Sequence, residues 1–326
     1  MLKQTGQLPV NIKVLLEGEE EIGSPNLVPF IQSHKEILKA DVVFVSDTPM
    51  FSSTTPSICI SLRGLNYYEI EVTGPKQDLH SGQHGGAVAN PVQALAKIIT
   101  DLKDDQGRVT IPGFYDDVVE LSTELKSQLS ELPFDETEYK QQLGVSELPG
   151  EKGYSVLERR WNRPTLDCNG FIGGYTGEGA KTIIPAKASA KVSMRLVANQ
   201  DPQKITQYFE DYLKTLTPKG VEVSIKEFNS GSAAMMDITQ LPFKAASDAV
   251  ETVFNKKPVF HGEGGSIPII AEFEKELGLQ SILLGFNLPD DGIHGPNERF
   301  SLENYQNGIL TVANFLQRYE IGRAHV

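Results

Sequence analysis

Two recurring patterns predict a mixed α/β fold in which one α/β domain is split in sequence by an inserted α+β module. Short apolar runs at residues 12–16, 41–45 and 57–62 fill the first sixty positions with a helical stretch among them, and the pattern returns at 281–284 before a last helix. Between these parts the strands are longer and alternate apolar with polar residues, as at 68–72 and 187–197. Their order with the helices is β-α-β-β-α-β, which makes a split sheet with both helices on one face. The predicted division is a mostly parallel α/β domain at 1–62, incomplete at its N-terminus, and at 263–320. The module occupies 63–262, and 321–326 is set apart as a probable non-native tail.

In chain order, the run 12–16 reads as a buried strand that ends in Glu17, Glu19, Glu20 and Glu21 and then a Gly-Ser turn. Ser24 is placed to cap a helix that has Pro25 at its first position and carries Leu27, Phe30, Ile31, His34 and Ile37 at helical spacing. A short strand at 41–45 then delivers Asp47. Two parallel neighbours joined by a helix would bring Glu20 or Glu21 to the same sheet edge as Asp47. Residues 57–62 form a third strand, and Arg63-Gly64 marks the passage into different architecture. A Gly- and His-rich loop at 78–86 leads into a helix from Asn90, with Val92, Leu95, Ile98 and Leu102 on one face. Residues 113–164 are polar and helix-prone. Strands follow at 165–172 and 187–197, then a helix at 202–216, a strand at 221–228 and a helix at 243–254. A tight loop around Gly265 and Ser266 precedes another helix. The buried strand 281–284 leads through Asp291-Gly292-Ile293-His294 into the final helix, 302–319.

The chain has 326 residues, a net charge of −13 and a pI near 5.0. That charge argues against nucleic acid and anionic membrane as partners. No apolar run approaches the roughly 20 residues of a membrane span, and the N-terminus lacks a signal-peptide core. Cys59 and Cys168 fit a reduced, cytoplasmic protein and are too few for a thiolate metal site. Any metal would therefore be held by oxygen and imidazole. Glu20, Glu21, Asp47 and His294 all fall at strand ends or in the loops after them, the place where open α/β sheets keep their chemistry. Such donors suit Zn, Mn or Co. A second Glu beside a ligating one can take a proton from a metal-bound water.

Six motifs, in order, resemble the M20 metallopeptidases, most closely their carnosinase-like dipeptidase branch. They are Leu16–Ser24, Ser46-Asp47, Asp78-Leu79-His80-Ser81-Gly82, Ser193–Val197, Gly265-Ser266-Ile267-Pro268 and Asp291–His294. The resemblance runs from about residue 8 to residue 319. It implies a phosphorylase/hydrolase-like catalytic domain and a ferredoxin-like lid and dimerisation domain. It also implies hydrolysis of dipeptides at the bond next to a free C-terminal carboxylate, with two divalent metal ions, zinc foremost, in a homodimer. By resemblance, Glu20 is the general base, Glu21 and His294 serve one metal and Asp47 the other. His80 steadies the oxyanion, with His84 as the competing imidazole. Arg195 grips the substrate carboxylate, and Gly265, Ser266 and Thr182 add contacts. Asp291 either orients His294 or begins its turn, while His34 and His261 read as structural.

The sequence departs from the family in one respect. M20 sites open with His-x-Asp upstream of the Glu pair, and none of the six histidines here is followed two residues later by Asp. The first His ligand and the bridging Asp are thus missing, so the chain is expected to be N-terminally truncated and weak or inactive as it stands. Rival readings are an amidohydrolase acting on N-acyl amino acids or succinyl-diaminopimelate, and a non-catalytic peptide-binding or dimerisation protein. A nucleotide loop at 174–182 fails because Ala180 separates Gly179 from Lys181 and a strand follows.

Overall fold

The computed structural model describes residues 6–323, with side chains as far as Glu320. Its strands are β1 (Val43–Val45), β2 (Ser57–Leu62), β3 (Gly64–Thr73), β4 (Leu79–His80), β5 (Thr165–Gly173) and β6 (Ile183–Ile184). They continue with β7 (Lys187–Leu196), β8 (Glu222–Gly231), β9 (Ala234–Met235), β10 (Val259–Glu263) and β11 (Ser281–Leu283). The chain forms two compact units. One takes the residues up to Leu62, Lys126–Leu132 and the chain from Ala234 on; the other takes Arg63–Leu125 and Pro133–Ala233. The change of architecture read at Arg63-Gly64 coincides with the first boundary. The second boundary falls at Ala233 rather than after 262. The helix Leu241–Phe254 gives Phe243, Ala246, Ala249 and Val250 to the core of the first unit, and β10 pairs with β2 there.

The first unit is a mixed sheet in the order β1-β11-β2-β10, with β9 also on β2. β1 runs parallel to β11 and β10 parallel to β2, and a single antiparallel pair, Leu283 with Cys59, joins the two halves. β2 is buried at all six positions, Ser57 and Ser61 included, because it has a neighbour on each side in β11 and β10. Helices Leu241–Phe254 and Leu302–Arg323 supply Phe243, Val250 and Phe315 to the same core. The Phe315 ring lies 5.2 Å from Phe44 and stacks on Tyr319 at 5.8 Å. Gly308 is required in the last helix: a Cβ there would stand 2.9 Å from the Phe286 ring.

The strand expected at 12–16 does not form. These residues are extended but join no ladder, and Ile12, Val14 and Leu16 are 47%, 75% and 87% exposed. Only Val10 and Leu15 lean on the core, and β1, the neighbour this strand would have paired with, is an edge strand. The first helix also starts later than expected. It spans Leu27–Ser33 from an Asn26 N-cap, because Ser24 sits at φ +51° in the turn, and a separate turn of helix follows at Lys35–Leu38. Of the proposed tail at 321–326, residues 321–323 continue the last helix and 324–326 lie outside the described residues.

The second unit is a four-stranded antiparallel sheet, β5-β7-β3-β8, with helices Pro91–Asp101 and Pro202–Leu216 against one face. Alternation in β3 turns Tyr68, Ile70 and Val72 toward those helices. Each helix begins as its sequence dictates. Asn90 Oδ1 accepts from the Val92 amide ahead of Pro91, and Asp201 Oδ1 accepts from the Gln203 amide ahead of Pro202. Ile205, Phe209 and Leu213 then recur every four residues on the buried face. The Tyr68 hydroxyl, bonded to Thr206 Oγ1 at 2.7 Å and to Asn66 Nδ2 at 2.7 Å, is pushed up to about 12 by burial.

An ion network fixes the polar excursion between the Pro91 helix and β5. Arg163, 4% exposed, forks onto Glu151 with Nε and Nη2 each at 2.8 Å, and its Nη1 reaches Glu120 Oε1 at 2.8 Å. Arg108 donates to the same Glu151 Oε1 at 2.8 Å, and the Arg163 guanidinium lies 4.0 Å over the Tyr154 ring. Removing one member of a buried pair leaves the other charge uncompensated. Arg163→Met should therefore destabilise the second unit by about 3–5 kcal/mol, read from the urea midpoint. A loss below about 1 kcal/mol would show that this network does not hold the excursion in place.

Candidate metal and substrate site

In the first unit the site is assembled by two loops that β1 and β11 bring side by side. The pairing of Val43–Val45 with Ser281–Leu283 continues past the strand ends: the Leu284 amide donates to Val45 O at 3.0 Å and the Met50 amide to Asn287 O at 2.7 Å. Thr48, 2% exposed, accepts from the Gly285 amide at 3.2 Å. Asp47 and the 285–299 loop that carries His294 therefore leave the sheet from one edge.

Glu20 and Glu21 arrive from a turn rather than from a strand end. They open a 3-10 turn, Glu20–Ile22, closed by amide bonds from Ile22 and Ser24 to Glu19 O and from Gly23 to Glu20 O. Gly23 at φ +86° permits the reversal. Glu19 is spent on this turn, since Asn26 Nδ2 donates to both of its carboxylate oxygens at 2.9 Å. The helix behind is pinned by buried Leu27 and Ile31.

The result gathers Glu20, Glu21, Asp47 and His294. His294 Nε2 lies 4.0 Å from Glu21 Oε2. Burial, then Glu21, Asp47 and Glu17, raise the Glu20 carboxyl, and His294 opposes them. Burial and then Glu21 raise Asp47, and His294 again opposes. Oxygen and imidazole donors of this kind suit a divalent ion. Two donors on one tetrahedral ion stand roughly 3.3 Å apart, so the Glu21–His294 pair needs little closure. No three His, Cys, Asp or Glu among the described residues are grouped to hold an ion. The ligand set among the described residues is thus incomplete.

His294 is held by its backbone, at φ +61°, rather than by Asp291. Asp291, 2% exposed, accepts from the Leu288 amide at 2.7 Å, and its carbonyl accepts from the Arg299 amide at 2.9 Å. Arg299 also pairs with Asp290. Of the two roles open to Asp291, shaping the turn is the one these bonds support. The Gly265 amide donates to Glu263 Oε1 at 3.2 Å, and Ser266 follows it in the loop. His34 stacks on Phe30 at 4.3 Å, a packing role. His261 is buried.

In the second unit, His80 and Thr182 are brought together. β4 pairs with β6, Leu79 opposite Ile184 and His80 opposite Ile183, and the Ser81 amide donates to Thr182 O at 3.0 Å. Arg195 lies on the central strand β7, opposite Leu65 on one side and Thr165 on the other. It is half-buried, and burial lowers its guanidinium below the ordinary arginine value. Two structural residues escaped the sequence reading, Asn26 and Arg299. Neither belongs to a recognisable pattern; only the turn geometry reveals them.

The chain thus carries two kinds of unit, an α/β unit in which a turn and two loops gather carboxylates and an imidazole, and an α+β unit that carries His80 and Arg195. A family model described as a peptidase dimerisation domain matches residues 60–221. The Cys-Gly metallodipeptidase DUG1 of Candida albicans is 36% identical over 96% of this chain and 66% of its own length. The human Beta-Ala-His dipeptidase is 31% identical over 94% and 62%. The solved M20 family metallo-carboxypeptidase Sso-CP2 of Sulfolobus solfataricus superposes with a TM-score of 0.87 at 34% identity, over 98% of this chain and 73% of that one. The chain belongs to the M20 metallopeptidase family, in its carnosinase-like branch. It spans about two thirds of the length of the dipeptidases it matches.

Both raised carboxyls hold their protons more tightly in the fold than in the unfolded chain, where the ordinary values are 4.5 for Glu20 and 3.8 for Asp47. The folded state then binds more protons just above those values, and that stabilisation is lost as pH rises through the window. With metal removed by chelator, Asp47→Asn should be more stable than the parent at neutral pH, by less than about 1 kcal/mol for so exposed a group. The difference should vanish below the ordinary aspartate value of 3.8. Thermal melts at the two pH values measure it, and a parent chain more stable than the variant at neutral pH would refute the repulsion.

Proposed function

We propose that the protein is a metal-dependent dipeptidase that cleaves the peptide bond next to a free C-terminal carboxylate and works as a cytoplasmic homodimer. The observation that carries this reading is the gathering of Glu20, Glu21, Asp47 and His294 by a turn and two loops far apart in sequence. Supporting it, the relatives named above are metallodipeptidases, and the matched dimerisation domain is that of peptidases. No helix among the described residues is long and apolar enough to cross a membrane. The net charge of −13 repels nucleic acid. Cys59 and Cys168 are both free thiols, which suits a reducing compartment.

In this reading Glu21, His294 and Asp47 hold divalent metal, with zinc the first choice. The chemistry zinc supplies when bound is a water acidified to a pKa of about 7. Glu20, pushed upward by burial and its acidic neighbours, accepts the proton of the attacking water and returns it to the leaving amine. His80 donates to the carbonyl oxygen as it gains charge, from the partner subunit's lid. Arg195 forks onto the substrate carboxylate, and its partial burial strengthens that contact. Thr182, Ser266 and Gly265 line the same substrate. These 326 residues contain no His-x-Asp sequence, so they should hold metal weakly and turn over slowly by themselves.

Two outcomes check the proposal. With zinc or manganese supplied, the chain should cleave Cys-Gly and β-Ala-His in preference to N-acyl amino acids; faster release of an acyl group than of any dipeptide product would favour the amidohydrolase reading instead. Arg195→Gln should raise KM for dipeptides by about 10- to 100-fold with little change in kcat, as expected when a bond to a charged group is lost. C-terminally amidated dipeptides should be equally poor for parent and variant. A variant with unchanged KM would remove Arg195 from the site.

A further inference from the structure

The His80 loop is held more tightly than an exposed loop needs to be, and its bonds converge on one ring nitrogen. β4 and β6 pin the backbone on either side of the imidazole, through Leu79 with Ile184 and His80 with Ile183. Asp78 Oδ1 accepts from the Ala186 amide at 2.9 Å, and the Ser81 amide donates to Thr182 O at 3.0 Å. Within this frame the Gly82 amide donates to His80 Nδ1 at 3.1 Å. A nitrogen that accepts a hydrogen bond carries no proton, so the neutral ring must carry its proton on Nε2. Glycine at this position leaves the ring its place. A Cβ at residue 82 would stand 2.9 Å from His80 Cε1 and 3.2 Å from Nδ1, and would displace the imidazole.

We infer that Gly82 is a positioning residue that fixes His80 as an Nε2–H donor, its amide setting the tautomer and its missing side chain leaving room for the ring. The inference rests on the proposed role of His80 as donor to the carbonyl oxygen. For that role the tautomer decides everything: with the proton on Nδ1 the exposed nitrogen would be an acceptor and would repel a developing oxyanion. Gly82 touches neither substrate nor metal in this scheme and acts only through the ring.

The test is spectroscopic and does not depend on turnover. In the full chain labelled with 15N, at a pH well above the ordinary histidine value of about 6.5, His80 should show an unprotonated Nδ1 and a protonated Nε2. It should also show a coupling across the hydrogen bond between Gly82 N and His80 Nδ1. His80→Gln identifies the signals by their loss. In Gly82→Ala the coupling should vanish and the two tautomers should mix, while Gln83→Ala, in the same helical turn, should leave both features intact. Backbone amide spectra of each variant show whether the unit remains folded, and the parent measurement stands alone if Gly82→Ala does not fold. A parent His80 that already mixes tautomers, or a Gly82→Ala that keeps a pure Nε2–H form, would overturn the inference. Turnover separates it from the proposal beneath. Gly82→Ala should lower kcat by at most the 10²- to 10³-fold cost of losing an oxyanion donor, with KM little changed. Unaltered turnover in His80→Gln would refute the catalytic role of His80, and with it the role assigned to Gly82.

Discussion

The three-residue parallel pairing of β1 with β11 is the contact on which the first unit's chemistry depends. Val43–Val45 and Ser281–Leu283 are more than two hundred residues apart in sequence, and closing so long a loop costs only slowly growing entropy. The ladder is short, so the interactions beyond it matter. Leu284 to Val45 O, Met50 to Asn287 O and Gly285 to Thr48 Oγ1 extend it past the strand ends. Those bonds set the exit directions of two loops, and Asp47 and His294 ride on them. Beneath lies a core in which Phe44, Ile282 and Phe315 meet, so the register is tied to apolar packing.

Against this frame, the acidic turn at Glu19–Ser24 behaves differently from what its sequence promised. An apolar run followed by carboxylates reads as a buried strand that presents its last residues at a sheet edge, and the local pattern supports that reading. The pattern does not by itself force pairing, however: β1 keeps an open edge, yet residues 12–16 join no ladder with it. Ile12, Val14 and Leu16 consequently lie in water, and the carboxylates are placed by a turn that Glu19, Asn26 and Gly23 build. The outcome for Glu20 and Glu21 is the same, because what brings them to Asp47 is the anchoring of the helix behind them by Leu27 and Ile31.

What was legible in the sequence follows the range of the forces involved. Caps, alternation and the apolar stripes of the helices at Pro91 and Pro202 are local, and these elements stand where the pattern puts them. The change of architecture at Arg63 was readable because the alternation itself changes there. The return boundary was not, since the helix Leu241–Phe254 has the same amphipathic signature whichever core receives it, and only tertiary packing assigns it to the first unit. At the site, residue types and order singled out Glu20, Glu21, Asp47 and His294, which the structure brings near one another, while the bonds of Glu19, Asn26 and Asp291 needed coordinates. Carboxylates next to one another in sequence look alike until their hydrogen bonds are counted.

The two units use opposite means to prepare polar groups. In the first, carboxylates are set close together with little to neutralise them; burial and then mutual repulsion raise Glu20 and Asp47, and whatever cation they attract relieves the repulsion. Such a cluster costs stability when empty and returns it when filled, so binding strength and preorganisation come from the same source. In the second unit, Arg163 and Arg108 are matched by Glu151 and Glu120, two charges against two. That satisfied network lets the excursion between the Pro91 helix and β5 hold its shape without a large apolar core of its own. His80 stands between the two cases. It is exposed, and its readiness lies in a single donated hydrogen bond from a residue that has no side chain. A polar group of that kind is tuned by geometry rather than by charge, which is why no charge pattern around residue 80 pointed to Gly82.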